Sequence, residues 1–244
     1  MVKVIVHLAK AVVAVMAALL FSSCGFDLNS LDGDGNVITQ DRNVTGNFTA
    51  VSAGKGLEVV IEQGHQVSVT VEADTNLQEH IKTELKGTTL EITADTNIGH
   101  AKAKRITVVM PQIKRLESAG GATVSSNGTL KEDSIEIQSS GGSFCKASLD
   151  CRNVKSDSSG GAHTELSGTT QNYEFHASNG ATVDAIKLKA ENVRAEASSG
   201  ANATVNPVRN LTAEATSGAN INYVTTPEQL KQNANSGGNI SKIQ

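Results

Sequence analysis

Residues 158–177 read SSGGAHTELSGTTQNYEFHA, a Ser-Gly-Gly corner followed by small residues and single hydrophobes, and close variants return through the second half of the chain. Small triplets begin at Ala119, Ser140, Ser159, Ser178, Ser199, Ser217 and Ser236, in steps of 21, 19, 19, 21, 18 and 19 residues. A second marker, one anchoring hydrophobe, falls at Leu116, Ile135, Val154, Tyr173, Val193, Leu211 and Leu230, in steps of 19, 19, 19, 20, 18 and 19. Two markers in phase define a repeat. A period near 20 without helical spacing fits one coil of a β-solenoid, about three short strands and three corners. Coils stacked ~4.8 Å apart would make seven of them a section of roughly 30 Å.

Stacking turns equivalent residues into columns. The anchor and the residues two and four places on should face inward, as in Val193-Ala195-Ala197 and Leu211-Ala213-Ala215, so one large and two small side chains fill a thin coil. The triplet that follows is the corner, where Gly or Asn tolerates positive φ. Just before the anchor lie Ser134, Asn153, Asn172, Asn192, Asn210 and Gln229, a structural ladder of amides able to hydrogen-bond along the axis. The last coil ends at Asn239–Gln244 with little capping sequence, and an open edge invites a homo-oligomer through the C-terminal coil.

Composition agrees with such a core. Aromatic residues make up 3%, Trp is absent, and there are 22 Gly and three Pro, poor material for a globular interior but suited to stacked small side chains. Residues 1–23 read as a lipoprotein signal peptide: Lys3 and Lys10, then AVVAVMAALLF over Ala11–Phe21, then Ser22-Ser23 before Cys24. The small pair before Cys24 resembles the lipobox of bacterial lipoproteins, so Cys24 is the expected site of lipidation, tying the chain to the bacterial outer membrane with its periplasmic side and the cell surface both open. Removal of Lys3 and Lys10 leaves 19 cationic against 25 acidic residues, a net charge of −6. That balance excludes nucleic acid as the partner, since phosphate binding needs a basic surface.

Residues 24–46 are expected to be the lipidated cysteine and a tether running into a first strand. Asp32-Gly-Asp34-Gly-Asn36 has the alternate oxygens of a calcium loop but no Glu at the twelfth position, so it reads as a turn. Over 47–115 the chain is β-rich and less regular, with strands at Leu57–Ile61, Val67–Val71, Leu90–Ile92 and Ile106–Val109. Asn76–Leu85 places Leu77, Ile81 and Leu85 at helical spacing, and short helix and strand remain equally open there. Residues 116–244 hold the repetitive coils.

Gly35–Gly46, Phe48, Val51, Gly56–Val59, Gln63-Gly64, Val67–Ala73 with Asp74 and Asn76, Leu90–Ile92 and Ser118–Gly121 together resemble the "putative auto-transporter adhesin, head GIN domain" family of Bacteroidetes lipoproteins. The resemblance runs from about residue 35 onward, with Gly56-Leu57-Glu58 where a Gly-Ile-Asn-like tripeptide would stand. It implies a right-handed β-helix and an envelope location, and it brings no catalytic residues with it.

Outward positions of the anchor strand supply the candidate face. Glu117, Glu136, Lys155, Glu174, Arg194, Thr212 and Lys231 would form one column, beside Gln138, Asp157, His176, Glu196 and Glu214 in the next. A carbohydrate-active enzyme would use clustered carboxylates with an acid–base partner, for which Asp157, His176 and Glu196 are the candidates. No sharp carboxylate pair or aromatic sugar platform stands out in the sequence, so the expectation is a non-catalytic adhesin without cofactor or metal. Its polar face (Glu136, Lys155, Asp157, Glu174, His176, Arg194, Glu196, Glu214) would bind a glycan or protein by many weak contacts. A structural or assembly role in the periplasm is the alternative. His163 reads as an ordinary surface residue. Cys145 and Cys151 could pair, although Cys145 replaces Val124, Thr164 and Val183 in its column, the place of a buried free thiol.

Overall fold

The computed structural model describes residues 30–243; the expected signal peptide and the expected lipidation site Cys24 lie outside them. Sixteen strands follow one another among these residues. They are β1 (Val37–Asp41), β2 (Ala50–Ala53), β3 (Glu58–Gln63), β4 (Ser68–Asp74), β5 (Ile81–Lys86), β6 (Thr89–Ala94), β7 (Lys104–Met110) and β8 (Arg115–Ser118). The long coil strands come next: β9 (Thr123–Ser139), β10 (Phe144–Ser158), β11 (His163–Ala177), β12 (Thr182–Ala197) and β13 (Asn202–Ala215). The last coil contributes β14 (Asn220–Tyr223), β15 (Gln229–Ala234) and β16 (Asn239–Lys242). The chain is all-β, and stacked coils of about 19 residues form a β-solenoid of about seven turns.

From β8 onward each coil pairs in parallel with the next, so the columns inferred from spacing become registers. Asn153 faces Asn172, Val154 faces Tyr173 and Asp157 faces His176; Asn172, Tyr173 and His176 in turn face Asn192, Val193 and Glu196. Inward and outward positions alternate along each strand and slip phase at the bends, as at Ile186-Lys187 and Glu191-Asn192 in β12. Three short faces per coil result. Inside, Ile135, Val154, Tyr173, Val193 and Leu211 are buried, with Ala195, Ala197, Ala213 and Ala215 completing the two-and-four pattern. Where Tyr173 and Phe175 stack, 5.4 Å apart, the preceding coil has Ser156, whose hydroxyl meets the Tyr173 hydroxyl at 2.9 Å. A bulky coil is thus accommodated by a small neighbour. Other buried hydroxyls satisfy one another: Ser118 with Ser139 and Ser143, and Thr164 with Ser139 and Ser158.

Two details of the repeat differ from the sequence reading. Each corner is a four-residue turn closed from the fourth N–H to the first C=O, as from Ser143 to Ser140, Ala162 to Ser159 and Ala201 to Ser198. Its two central residues have positive φ, as at Gly141-Gly142, Asn179-Gly180 and Ser199-Gly200, the type I′ combination that suits strand twist. The triplets named at Ser199, Ser217 and Ser236 therefore start one residue late, since their turns begin at Ser198, Thr216 and Asn235. The second correction concerns phase. Leu116 faces Ile137, not Ile135, and Glu117 faces Gln138, with Arg115 opposite Glu136. The cause is an extra pair of residues at Ser126–Gly128, where the register between β9 and β10 jumps from Ser125 opposite Lys146 to Thr129 opposite Ser148.

The first part of the chain belongs to the same stack but out of sequence order. β2 lies between β6 and β8, and β3 lies between β7 and β9. The coil at 50–63 is therefore sandwiched between the coil at 89–110 and the one that starts at 115. Beyond it, β4 and β5 run antiparallel to β7 and β6, and β1 runs antiparallel to β4. These strands close the solenoid end, a common way to blunt an edge. Asn76–Leu85 resolves into a short 3-10 turn (Thr75–Leu77) and then β5. Leu77 is buried at the end of the 3-10 turn and Ile81 at the start of β5, which pairs residue by residue with β6. The Asp32–Asn36 stretch is a turn pinned by Asn76, which accepts from the Asp34 N–H and donates to the Asp32 carbonyl. Asp32 also accepts from the His100 N–H.

Candidate functional face

Because every coil repeats the same path, any outward position of the anchor strand becomes a row of side chains one strand spacing apart. Register places Glu136, Lys155, Glu174, Arg194, Thr212 and Lys231 in one row. Gln138, Asp157, His176, Glu196 and Glu214 form the next. Glu117 moves from the first row to the second, following the two-residue insertion, and Arg115 takes its place. All eight residues of the expected binding face are brought onto one surface.

The rows interact mainly with each other. His176 Nδ1 lies 3.0 Å from Glu196 Oε2 and its Nε2 3.8 Å from Glu174. Arg194 donates to the other Glu196 oxygen at 2.7 Å, and Gln138 donates to Glu136 at 2.9 Å. Among the described residues Lys155, Asp157 and Glu214 take part in no ion pair. An open groove of about 460 Å³ runs over Asp157, His176, Glu196 and Glu214 along the corner hydroxyls of Ser178 and Ser198. It unites Asp157, His176 and Glu196, but the His176 and Glu196 side chains remain 41% and 31% exposed. Ion pairs this wet are screened by solvent.

On the other side of the first row the amide ladder forms as expected. Asn172 donates to Asn153 at 2.9 Å, Asn192 to Asn172 at 2.9 Å, and Asn210 to Asn192 at 2.6 Å. Beside it runs a groove of about 440 Å³ lined by these amides with Lys155, Glu174 and Arg194. The solenoid therefore presents two grooves, one along the amide ladder and one over Asp157, His176 and Glu196, on either side of a row of alternating charge. Cys145 and Cys151 are both free and buried. Desolvation pushes the Cys145 thiol up to about 12, so it stays protonated and unreactive.

Sequence reading missed one feature. Phe144 and His163 face each other in adjacent coils, half-buried, on the outward side of the strand that follows the corner, with ring centroids 5.2 Å apart. The signal available was a Phe and a His at outward positions that hold Thr123 and Thr182 in neighbouring coils. The sequence reads His163 as an ordinary surface residue and Phe144 not at all, because neither lies among the outward positions next to the anchor residues.

Parallel coils, satisfied corner turns and outward polar ladders define the chain as a β-solenoid whose variable surface is separate from its core. It belongs to the family described as "Putative auto-transporter adhesin, head GIN domain", whose profile matches residues 47–227. In fold it is similar to a "putative adhesin" from Bacteroides fragilis, with 22% identity, a TM-score of 0.81, and coverage of 88% of this chain and 100% of that chain. It is also similar to a "putative lipid binding protein" from Parabacteroides distasonis (17% identity, TM-score 0.70, 88% and 100% covered). A "putative adhesin" from Parabacteroides merdae is a third neighbour (16% identity, TM-score 0.67, 88% and 100% covered). No curated protein matches the chain.

Proposed function

We propose that this chain is a non-catalytic adhesin of the bacterial cell envelope, lipid-anchored through Cys24, that binds a glycan or protein partner along the polar face of its solenoid. The observation that carries the reading is the register. Rows of charge and amide, repeated coil after coil beside two open grooves, offer a rigid series of equivalent weak contacts. Such a series suits a repetitive polymer or a multivalent partner. The family's adhesin-like character supports a cell-envelope location, and among the described residues no helix is long and apolar enough to cross a membrane.

The test is binding of soluble protein lacking residues 1–29 to immobilised bacterial and host glycans and to envelope proteins. It is compared with a variant carrying Lys155→Ala, Glu174→Ala and Arg194→Ala together. The reading expects wild-type binding and its loss in the triple variant at unchanged melting temperature. Binding unaffected by the triple substitution contradicts it. A second reading, assembly within the periplasm, draws on the C-terminal coil: β15 pairs with β13 on one side and is exposed along its whole length, an edge that a second copy could extend.

A further inference from the structure

We propose that Phe144 and His163 form a carbohydrate-stacking platform, a binding site for a pyranose ring of β-gluco configuration; this rests on, and narrows, the adhesin reading above. Among the described residues the other Phe and Tyr side chains, Phe48, Tyr173, Phe175 and Tyr223, are buried. Phe144 alone of these is turned outward, and it sits beside another ring. Packing does not require it there. The register runs from Thr123 to Phe144, His163, Thr182 and Asn202, so the solenoid builds the same position elsewhere from small polar residues. Leaving a large apolar ring partly exposed forgoes burial energy, and a phenyl ring beside an imidazole on an otherwise polar face offers a contact surface.

The chemistry around the rings selects the ligand. Two residues along each strand lie Lys146 and Glu165, 3.1 Å apart, with Lys187 3.9 Å from the same Glu165 oxygen. Aromatic carbon faced by a charged donor–acceptor pair suits a ligand with an apolar face and a hydroxylated rim. A β-gluco pyranose has that form: its hydroxyls are equatorial and its two faces carry only axial C–H groups. The rings follow one another along the solenoid axis with their planes tilted 42° to each other, so successive sugars of an extended β-linked chain would run across the coils, each against one ring. A purely electrostatic partner would have no use for Phe144.

The probes are cellotetraose and tetra-N-acetylchitotetraose, titrated at millimolar concentration against protein lacking residues 1–29. Saturation-transfer NMR reports which sugar protons touch the protein. The expected result is transfer to the axial ring protons of at least one probe, affinity reduced tenfold or more by Phe144→Thr, and affinity within about threefold of wild type for Phe144→Tyr. Threonine occupies this position in the coils on either side of the pair, so Phe144→Thr should keep the melting temperature, which is measured in parallel. No transfer to either probe, or undiminished binding by Phe144→Thr, overturns the platform. Binding that survives Phe144→Thr but is lost on the Lys155, Glu174 and Arg194 substitutions removes the platform and leaves the wider polar-face reading standing. Loss in neither variant defeats both.

Discussion

At the scale of the residue, the corner turns ask for positive φ twice in succession and the chain answers with different residues. From residue 119 onward the second central position is Gly in every corner, whereas the first is Gly at 120, 141 and 160 but Asn179, Ser199, Ser217 and Ser236 further on. A β-carbon at Gly161 would meet nothing within 4 Å, so its φ of +72° is the whole of the penalty for substitution. Gly161→Ala should cost about 1–2 kcal/mol, and Ser217→Gly, which relieves the same strain, should be neutral or gain up to about 1 kcal/mol in chemical denaturation. Two buried acids make a pH prediction. Burial raises the Cys145 thiol to about 12 from 9.0 and raises the Tyr173 hydroxyl from 10.0. In both the unfolded chain loses its proton first, so their stabilisation is complete below pH 9 and declines as pH rises. The slope should approach about 1.4 kcal/mol per pH unit above the thiol's unfolded pKa and steepen above that of tyrosine. Cys145→Val, the residue found at Val124 and Val183 of the same column, should reduce the first step to the share of Cys151, whose thiol burial also raises. Denaturation midpoints from pH 8 to 11 decide it. Inward columns and turn glycines were legible because period-two burial and positive φ leave marks on residue type; the outward Phe144 was not, since an outward position accepts almost any side chain.

At the scale of the element, the amide ladder joins four coils through side chains as well as backbone. Asn172 both donates to Asn153 and accepts from Asn192, so Asn172→Ala breaks two bonds and should cost about 1–2 kcal/mol. Gln229→Ala, on the exposed strand β15, should leave thermal unfolding unchanged. The last coil as a whole should matter little: Leu230, its anchor, is 41% exposed, and the family match ends at residue 227. A chain stopped after Thr226 should unfold cooperatively with a melting temperature lower by only a few degrees. A collapse of cooperativity would show that β15 and β16 hold the stack together. Strand positions came readily from the repeat, yet one anchor was misplaced. Ile135 and Ile137 are both inward and both lie at plausible spacing from Leu116, so the insertion at Ser126–Gly128 left no trace in the hydrophobic pattern.

At the scale of the molecule, labour is divided: a core of small stacked residues fixes the coils, and the outward rows carry the polar side chains. The order of coils could not have been read from the chain. The coil at 50–63 meets neighbours at 89–110 and 115–126, and such coils are locally alike whichever way they stack. The candidate face was more legible, because a fixed period converts spacing directly into adjacency, and His176 with Glu196 came together as the columns required. In the proposed envelope location, what the face meets depends on which side of the outer membrane it occupies. The most direct measurement is therefore protease digestion of the protein on intact cells that carry it, with a periplasmic protein as control. An adhesin is digested while the control stays whole. Protection of the solenoid until the outer membrane is opened would contradict the account and turn the search for its partner to the periplasm.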